Sequence, residues 1–195
     1  MKITVFGGAF DPPHYGHQQI IASLFKQGMA DEVWLVPTGV HDFDKKMQSA
    51  QHRIAMLKLL IAEFEPALKS KIKIETCELN RTGVSQTYDT LTELASQHPE
   101  HLFAWIMGSD NLAKFHLWEN YDRMLAEYPV YIYPRFGFDL QPLYQGMIPL
   151  SGVEQIKVSS TLIKEKLAQQ AQQDLVKLLP SSILAYLQTN KLYSD

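Results

Sequence analysis

The chain reads as an α/β fold: a doubly wound, mostly parallel five-stranded sheet, Rossmann-like, with further helices at the carboxyl end. Three observations predict it. Apolar runs of strand length alternate with segments whose apolar residues recur at helical spacing. The central runs are continuously apolar, the mark of strands covered on both faces. Each connection is long enough for a crossover helix, and right-handed crossovers then produce a doubly wound sheet.

Taken in order, Ile3-Thr4-Val5-Phe6 is a short buried strand, released by Gly7 and Gly8. Ile20, Ile21, Leu24 and Phe25 follow at helical spacing, and Gly28 ends that helix. Glu32-Val33-Trp34-Leu35-Val36 is a second strand stopped by Pro37. Ser49 caps a helix carrying Ile54, Leu57, Leu60, Ile61 and Phe64, with Pro66 ending it. Lys71 to Cys77 makes a third strand, with Ile72 and Ile74 on one face. Thr87 to Gln97 is a helix closed before Pro99, with Ser85 or Thr87 as its cap. Leu102 to Met107 is the central strand. From Asp110 the chain is helical through Leu112 and Phe115, kinks, and continues through Trp118, Tyr121, Met124 and Leu125. Val130 to Tyr133 is the fifth strand. Residues 135–157, rich in Gly and Pro, read as loop; helix resumes from Ser159, and Pro180 opens a last one.

Composition narrows the function. The 195 residues are 46% hydrophobic, enough for one substantial core, so residues 1–195 are expected to form a single domain. A net charge of −3 with 20% charged residues provides no basic stripe for nucleic acid. The single Cys77 excludes an internal disulfide and suits a reducing compartment. The first apolar run is too short for a signal peptide and no segment is long enough to cross a bilayer, so a cytoplasmic protein is expected.

Gly7-Gly8-Ala9-Phe10-Asp11-Pro12-Pro13-His14-Tyr15-Gly16-His17 is the most informative stretch. It joins the end of a strand to the start of a helix, where backbone N–H groups and the helix dipole favour an anion. His14 and His17 add donors there, and Gly16 between them has no side chain to block a ligand. Two histidines three apart usually do no more than cap a helix, and a Gly-Gly pair is usually a turn. Their conjunction after a strand reverses that reading and points to a phosphate site built without a Lys. Neither a Walker loop nor G-x-G-x-x-G occurs.

The stretch resembles the GG-x-FDP-x-H-x-GH signature of nucleotidyltransferases that join a nucleotide to a phosphate-bearing acceptor. Its H-x-G-H element is also similar to the HIGH signature of class I aminoacyl-tRNA synthetases, but 195 residues leave no room for an anticodon-reading domain. Arg81-Thr82-Gly83-Val84-Ser85-Gln86-Thr87-Tyr88-Asp89-Thr90-Leu91 resembles R-x-G-x-S-Y-T-x-D-T-L of the nicotinate mononucleotide adenylyltransferases, with Gln86 where Tyr is usual. Gly108 to Trp118 is similar to that family's G-x-D-x-L-x-x-F-x-x-W, and Val158 to Lys164 to its I-S-S-T-x-I-R. The tail from Leu179 to Tyr193 also matches its C-terminal helix, so the likeness runs collinearly along nearly the whole chain.

The resemblance implies adenylyl transfer from ATP to nicotinate mononucleotide, releasing pyrophosphate and nicotinate adenine dinucleotide. It assigns His14, His17 and Lys164 to catalysis. ATP would be held by Gly8, Ala9, Phe10, Gly16, Gly108, Asp110, Ser159, Ser160 and Thr161. Gln86 and Thr87 would receive the mononucleotide, and Trp118 would stack on its pyridine ring. Mg²⁺ would enter with ATP, held by phosphates and water rather than by a dedicated protein cage. A homo-oligomer is left open.

Departures from the pattern stand out. Lys164 replaces an Arg, Arg135-Phe136-Gly137 stands for R-P-G, and the basic P-P-H-K loop is replaced by residues 40–46, where Lys45 and Lys46 are the candidates to close over the phosphates. Three other readings remain open at this point: another phosphate acceptor such as nicotinamide mononucleotide or phosphopantetheine, a degenerate nucleotide-binding module, and a purely structural α/β protein.

Overall fold

The structure, a computed structural model, describes residues 1–39 and 47–193. Its first unit is strand β1 (Lys2–Gly8), a loop, and helix α1 (Tyr15–Lys26). Ile20, Ile21 and Leu24 bury one face of α1, and Gly28, with φ of +65°, takes the left-handed conformation that turns the chain after it. Then follow β2 (Glu32–Pro37), α2 (Ala50–Ala62), the short α3 (Pro66–Lys69) and β3 (Ile72–Ile74). The second half runs through α4 (Thr87–Gln97), β4 (Leu102–Gly108), α5 (Tyr121–Glu127), β5 (Val130–Tyr133) and β6 (Met147–Pro149). It closes with α6 (Ser160–Ala168), α7 (Gln172–Leu175) and α8 (Ser181–Thr189).

The sheet order is β3-β2-β1-β4-β5-β6, and every neighbouring pair is parallel. The chain winds outward from β1 to β3, returns to β4 beside β1, and winds outward again. Successive residues alternate between the faces. Ile3, Val5, Phe103, Trp105, Met107, Val130 and Ile132 pack with α4, α5 and the 3-10 segment before α5. Phe6, Ala104, Ile106, Tyr131 and Tyr133 pack with α1 and the inner side of α2. The outer side of α2, through Met56 and Leu60, carries a third cluster with Ile163, Leu175, Ile183 and Leu187.

The parallel doubly wound sheet is as expected, but it has six strands rather than five. The sixth lies inside residues 135–157, read from sequence as loop. At three residues, ending in a Pro and with Ile148 exposed on the sheet edge, it carries no periodicity to detect. Pro66 does not end the second helix; α2 stops at Ala62, and Pro66 occupies the first turn of α3, where its missing N–H costs nothing. The third strand is shorter than expected, giving way to a 3-10 turn over Cys77–Asn80. After β4 the helix is a 3-10 helix over Ser109–Leu117, and the kink is a full break at Asn120, whose φ is +54°. Among the described residues no helix is long and apolar enough to cross a membrane.

A Cβ on Gly7 would overlap the Trp105 indole on the neighbouring strand, whereas one on Gly8 would meet only the Phe10 ring, at 3.5 Å. Gly7→Ala is therefore expected to lower unfolding free energy by about 1–3 kcal/mol. Gly8→Ala should shift it by less than about 1 kcal/mol. Urea unfolding followed by tryptophan fluorescence checks both, and equal stabilities would remove the steric account of Gly7.

Candidate active site at the carboxyl ends of the central strands

In an open parallel sheet, ligands bind beyond the carboxyl ends of the strands, where the winding reverses. Here that point lies between β1, ending in Gly8, and β4, ending in Gly108. The loop from Gly8 to His14 is pinned on several sides. Phe10 takes a left-handed conformation (φ 48°) and is 1% exposed, its ring 5.4 Å from Phe6 and 5.0 Å from His17. Arg53 of α2, 3% exposed, donates from Nη1 to the Ala9 carbonyl (3.0 Å) and from Nε to that of Gln48 (3.1 Å). Asp11 is buried and accepts from Gln48 N–H, Lys164 Nζ and the Tyr193 hydroxyl.

His14 precedes α1 in an extended conformation, and its backbone N–H donates to Nδ1 of His17 at 3.1 Å. The neutral His17 ring must then carry its proton on Nε2. The two rings lie 3.8 Å apart between centroids. Burial, then the charge of Arg135, lowers the pKa of His17 from 6.5 to about 3. His14 is likewise held well below 6.5, by burial first and then by His17 and Arg135. Both are neutral donors near pH 7. Among the described residues the buried Nδ1 of His14 has no hydrogen-bond partner.

The helix start differs from expectation in one respect. Its backbone is not left free: Tyr15 N–H donates to the Leu178 carbonyl (3.0 Å), and His17 N–H to that of His14 (2.9 Å). The lack of a side chain at Gly16 makes room for neighbouring protein atoms. A Cβ there would lie 2.9 Å from Val158 Cγ1 and 3.0 Å from two atoms of the His14 ring.

Arg135, not singled out from the sequence as a site residue, proves central. Its Nη1 pairs with Asp110 Oδ2 at 2.7 Å, and its Nη2 reaches the Val158 carbonyl at 3.4 Å. Its backbone N–H donates to Ser109 Oγ at 2.9 Å. A Cβ on Gly108 would overlap the Asp110 carboxylate and the Arg135 side chain, so glycine at the end of β4 permits this ion pair. The sequence signal for Arg135 was the segment Arg135-Phe136-Gly137 just past the fifth strand, which keeps the Arg of the R-P-G pattern that the resemblance supplies.

The start of α6 closes the other side. Ser159 Oγ accepts from Leu162 N–H (3.1 Å) as a helix cap, and Ser160 Oγ donates to the Pro12 carbonyl (2.9 Å). Thr161 is exposed. Lys164 is not a free cation, since its Nζ lies 2.6 Å from Asp11 Oδ2. The structure thus joins Gly8, Ala9, Phe10, His14, Gly16, His17, Gly108, Asp110, Ser159, Ser160 and Lys164 in one contact network.

Gln86, Thr87 and Trp118 lie apart from that network, on the sheet face covered by α4. Gln86, rather than Ser85 or Thr87, is the residue that caps α4, and it does so without a side-chain bond. Thr87 begins the helix half-buried. Below it, Thr90 donates to the buried carboxylate of Glu78 at 2.8 Å, and burial raises the pKa of that carboxylate. Trp118 is half-buried, 5.3 Å from the Phe115 ring, with part of its surface left to solvent. Lys45 and Lys46 lie outside the described residues. Among the described residues no group of three His, Cys, Asp or Glu could hold a metal ion.

A family model described as cytidylyltransferase-like matches residues 5–166. A Bacillus licheniformis protein named "Probable nicotinate-nucleotide adenylyltransferase" is 32% identical over 194 residues, covering 98% of each chain. One of the same name from Oceanobacillus iheyensis is 34% identical, covering 98% of this chain and 96% of its own. Among solved structures, Plasmodium falciparum nicotinic acid mononucleotide adenylyltransferase complexed with NaAD superposes with a TM-score of 0.85 at 24% identity, covering 98% of this chain and 97% of that one. The same protein complexed with APC gives 0.84 at 23%, covering 98% and 96%. These structures share the fold.

The neutral histidines make stability depend on pH. A pKa lowered on folding means that the unfolded chain binds the extra proton. The contribution is therefore full above pH 6.5 and is lost as pH falls towards about 3 for His17. Between pH 7 and pH 5 the parent protein should lose about 1–2 kcal/mol more stability than His17→Gln. Urea unfolding of both at the two pH values is the measurement, and parallel losses would show that His17 titrates normally.

Proposed function

The chain belongs to the nicotinate-nucleotide adenylyltransferases of the cytidylyltransferase-like family, and we propose that its site transfers AMP from ATP to the phosphate of nicotinate mononucleotide. A phosphate oxygen of the mononucleotide attacks the α-phosphorus of ATP. The bond from that phosphorus to the bridging oxygen of the β-phosphate breaks, and pyrophosphate leaves with the electron pair. The attacking phosphate is already anionic near neutral pH, so no general base is needed. The protein's work is alignment and stabilisation of charge developing on the leaving group.

The observation that carries this reading is the bond from His14 N–H to His17 Nδ1. It makes Nε2 of His17 a hydrogen-bond donor without giving the ring a charge, so the ring can lie beside Arg135 without strong repulsion. His17 and His14 donate to the triphosphate, and Arg135 and Lys164 supply positive charge by leaving Asp110 and Asp11 for phosphate oxygens. Ser159 and Ser160 hold the turn that presents Lys164. Mg²⁺ arrives as part of the substrate MgATP, coordinated by phosphates and water, a shell it prefers to an all-protein cage. Gln86, Thr87 and Trp118 receive the mononucleotide, with the half-buried Trp118 ring as the stacking surface for pyridine. We read the whole as one small-molecule enzyme domain working in the cytoplasm.

Incubation with MgATP and either nicotinate or nicotinamide mononucleotide, with pyrophosphate and dinucleotide detected, tests the reaction directly. Dinucleotide is expected with the nicotinate acceptor; none with either would end the proposal. His17→Ala should lower kcat by about 10²–10³-fold with little change in Tm. A folded variant with near-normal kcat would take His17 out of the mechanism. Trp118→Ala should raise KM for the mononucleotide by an amount equivalent to about 1–3 kcal/mol, while KM for ATP stays put. A parallel loss of ATP affinity would mark Trp118 as a packing residue.

A further inference from the structure

The chain's last described turn ends inside the site. After α8, Lys191 and Tyr193 both adopt left-handed conformations, with φ of 49° and 59°. Such backbone is unfavourable for a non-glycine residue, and it persists where the surroundings hold it. Leu192 between them is buried, its N–H bonded to the Leu187 carbonyl at 3.0 Å. Tyr193 is thereby turned under the loop that follows β1.

There its hydroxyl donates to Asp11 Oδ1, and its ring lies 5.0 Å below Lys164 Nζ. Asp11 is filled on both oxygens: Oδ1 also accepts Gln48 N–H at 3.2 Å, while Oδ2 takes Lys164 at 2.6 Å. Burial and the neighbouring carboxylate push the phenol pKa far up, so the hydroxyl remains a donor. The Asp11 side chain is 3% exposed and that of Lys164 is 35% exposed. The carboxylate is fixed, and the ammonium is the member of the pair that can move. A compact ammonium suits a seat of one carboxylate oxygen and one ring face; a planar guanidinium is matched to two oxygens.

We propose that Tyr193 is a positioning residue for Lys164, forming with Asp11 the resting seat from which the ammonium passes to the nucleotide's phosphates. The proposal rests on the reading of Lys164 as a phosphate-clamp residue. Tyr193 itself touches no substrate. It keeps the buried Asp11 carboxylate in place and the ammonium at the rim of the loop, so that ATP draws over a cation already positioned.

The test compares the parent protein with Tyr193→Ala, Tyr193→Phe and Lys164→Ala. In each, KM for ATP, KM for the mononucleotide, kcat and Tm are measured, with acetic anhydride labelling of Lys164 in nucleotide-free protein, read by mass spectrometry. Tyr193→Ala should raise KM for ATP by about tenfold, leave KM for the mononucleotide unchanged, and label faster at Lys164. Tyr193→Phe keeps the ring and stays folded even if the Ala variant does not; its KM for ATP should lie between the two. If Lys164→Ala raises KM for ATP while both Tyr193 variants match the parent in KM and labelling, the seat is overturned and the clamp stands. If Lys164→Ala leaves KM for ATP unchanged, the clamp and the seat both fall. A drop in Tm with unaltered KM and labelling would make Tyr193 a packing residue only, which also overturns the proposal.

Discussion

The hydrogen bond from the His14 backbone to His17 Nδ1 is the constraint around which the site is built. It settles which nitrogen of His17 carries the proton, and so whether that ring offers a phosphate a donor or a lone pair. Keeping it requires His14 extended, Phe10 left-handed, and no side chain at Gly16. Extended backbone is ordinary just before a helix, so the unusual demands of this loop are the left-handed Phe10 and the crowding at Gly16. Burial then holds the rings neutral. Two imidazolium rings 3.8 Å apart and close to Arg135 would repel one another; two neutral donors do not.

The same concern with charge explains why the cations of the site are paired before any nucleotide arrives. Arg135 rests on Asp110 and Lys164 on Asp11, while Arg53 is committed to backbone carbonyls. The Arg135–Asp110 pair keeps 33% and 25% of its side-chain surface, so solvent already screens it and little is lost in breaking it. Asp11 is different, because stripping its partners would leave a buried carboxylate uncompensated. Its bonds to Gln48 and Tyr193 offset part of that cost independently of Lys164.

The alternation of strands and helices was legible because it rests on local periodicity, and β1 to β5 lie where their apolar runs predict. The sixth was not, since Met147 and Ile148 between Gly146 and an edge Pro leave no pattern. The histidines were legible because strand, glycines and helix announce their setting within a few residues. Arg53 was not, and Arg135 was noted only as the first residue of the Arg135-Phe136-Gly137 segment, without a role. A single Arg past a strand or inside an amphipathic helix looks like any solvated cation until the fold brings Asp110 or the Ala9 carbonyl to it. Gly16 was read for the room it leaves a ligand, and the crowding by Val158 and His14 that also demands a glycine there shows only in the fold. Lys164 was read as the residue replacing a clamp Arg, but its pairing with Asp11 was not foreseen, because that partner stands 153 positions away.

Long-range partnerships of this kind give the C-terminal helices their purpose. They add no strand, and they cover the outer side of α2 rather than the sheet. What they contribute is reach. The Leu178 carbonyl caps the first N–H of α1, Ser160 bonds Pro12, Lys164 pairs with Asp11, and Tyr193 closes over both from 182 residues away. Winding alone places His14 and His17 at the strand ends, but the backbone that carries them is held by contacts from Ser160, Lys164 and Leu178. The loop after β1 and the helices after β6 are therefore one structure, joined by bonds that the sheet itself does not provide.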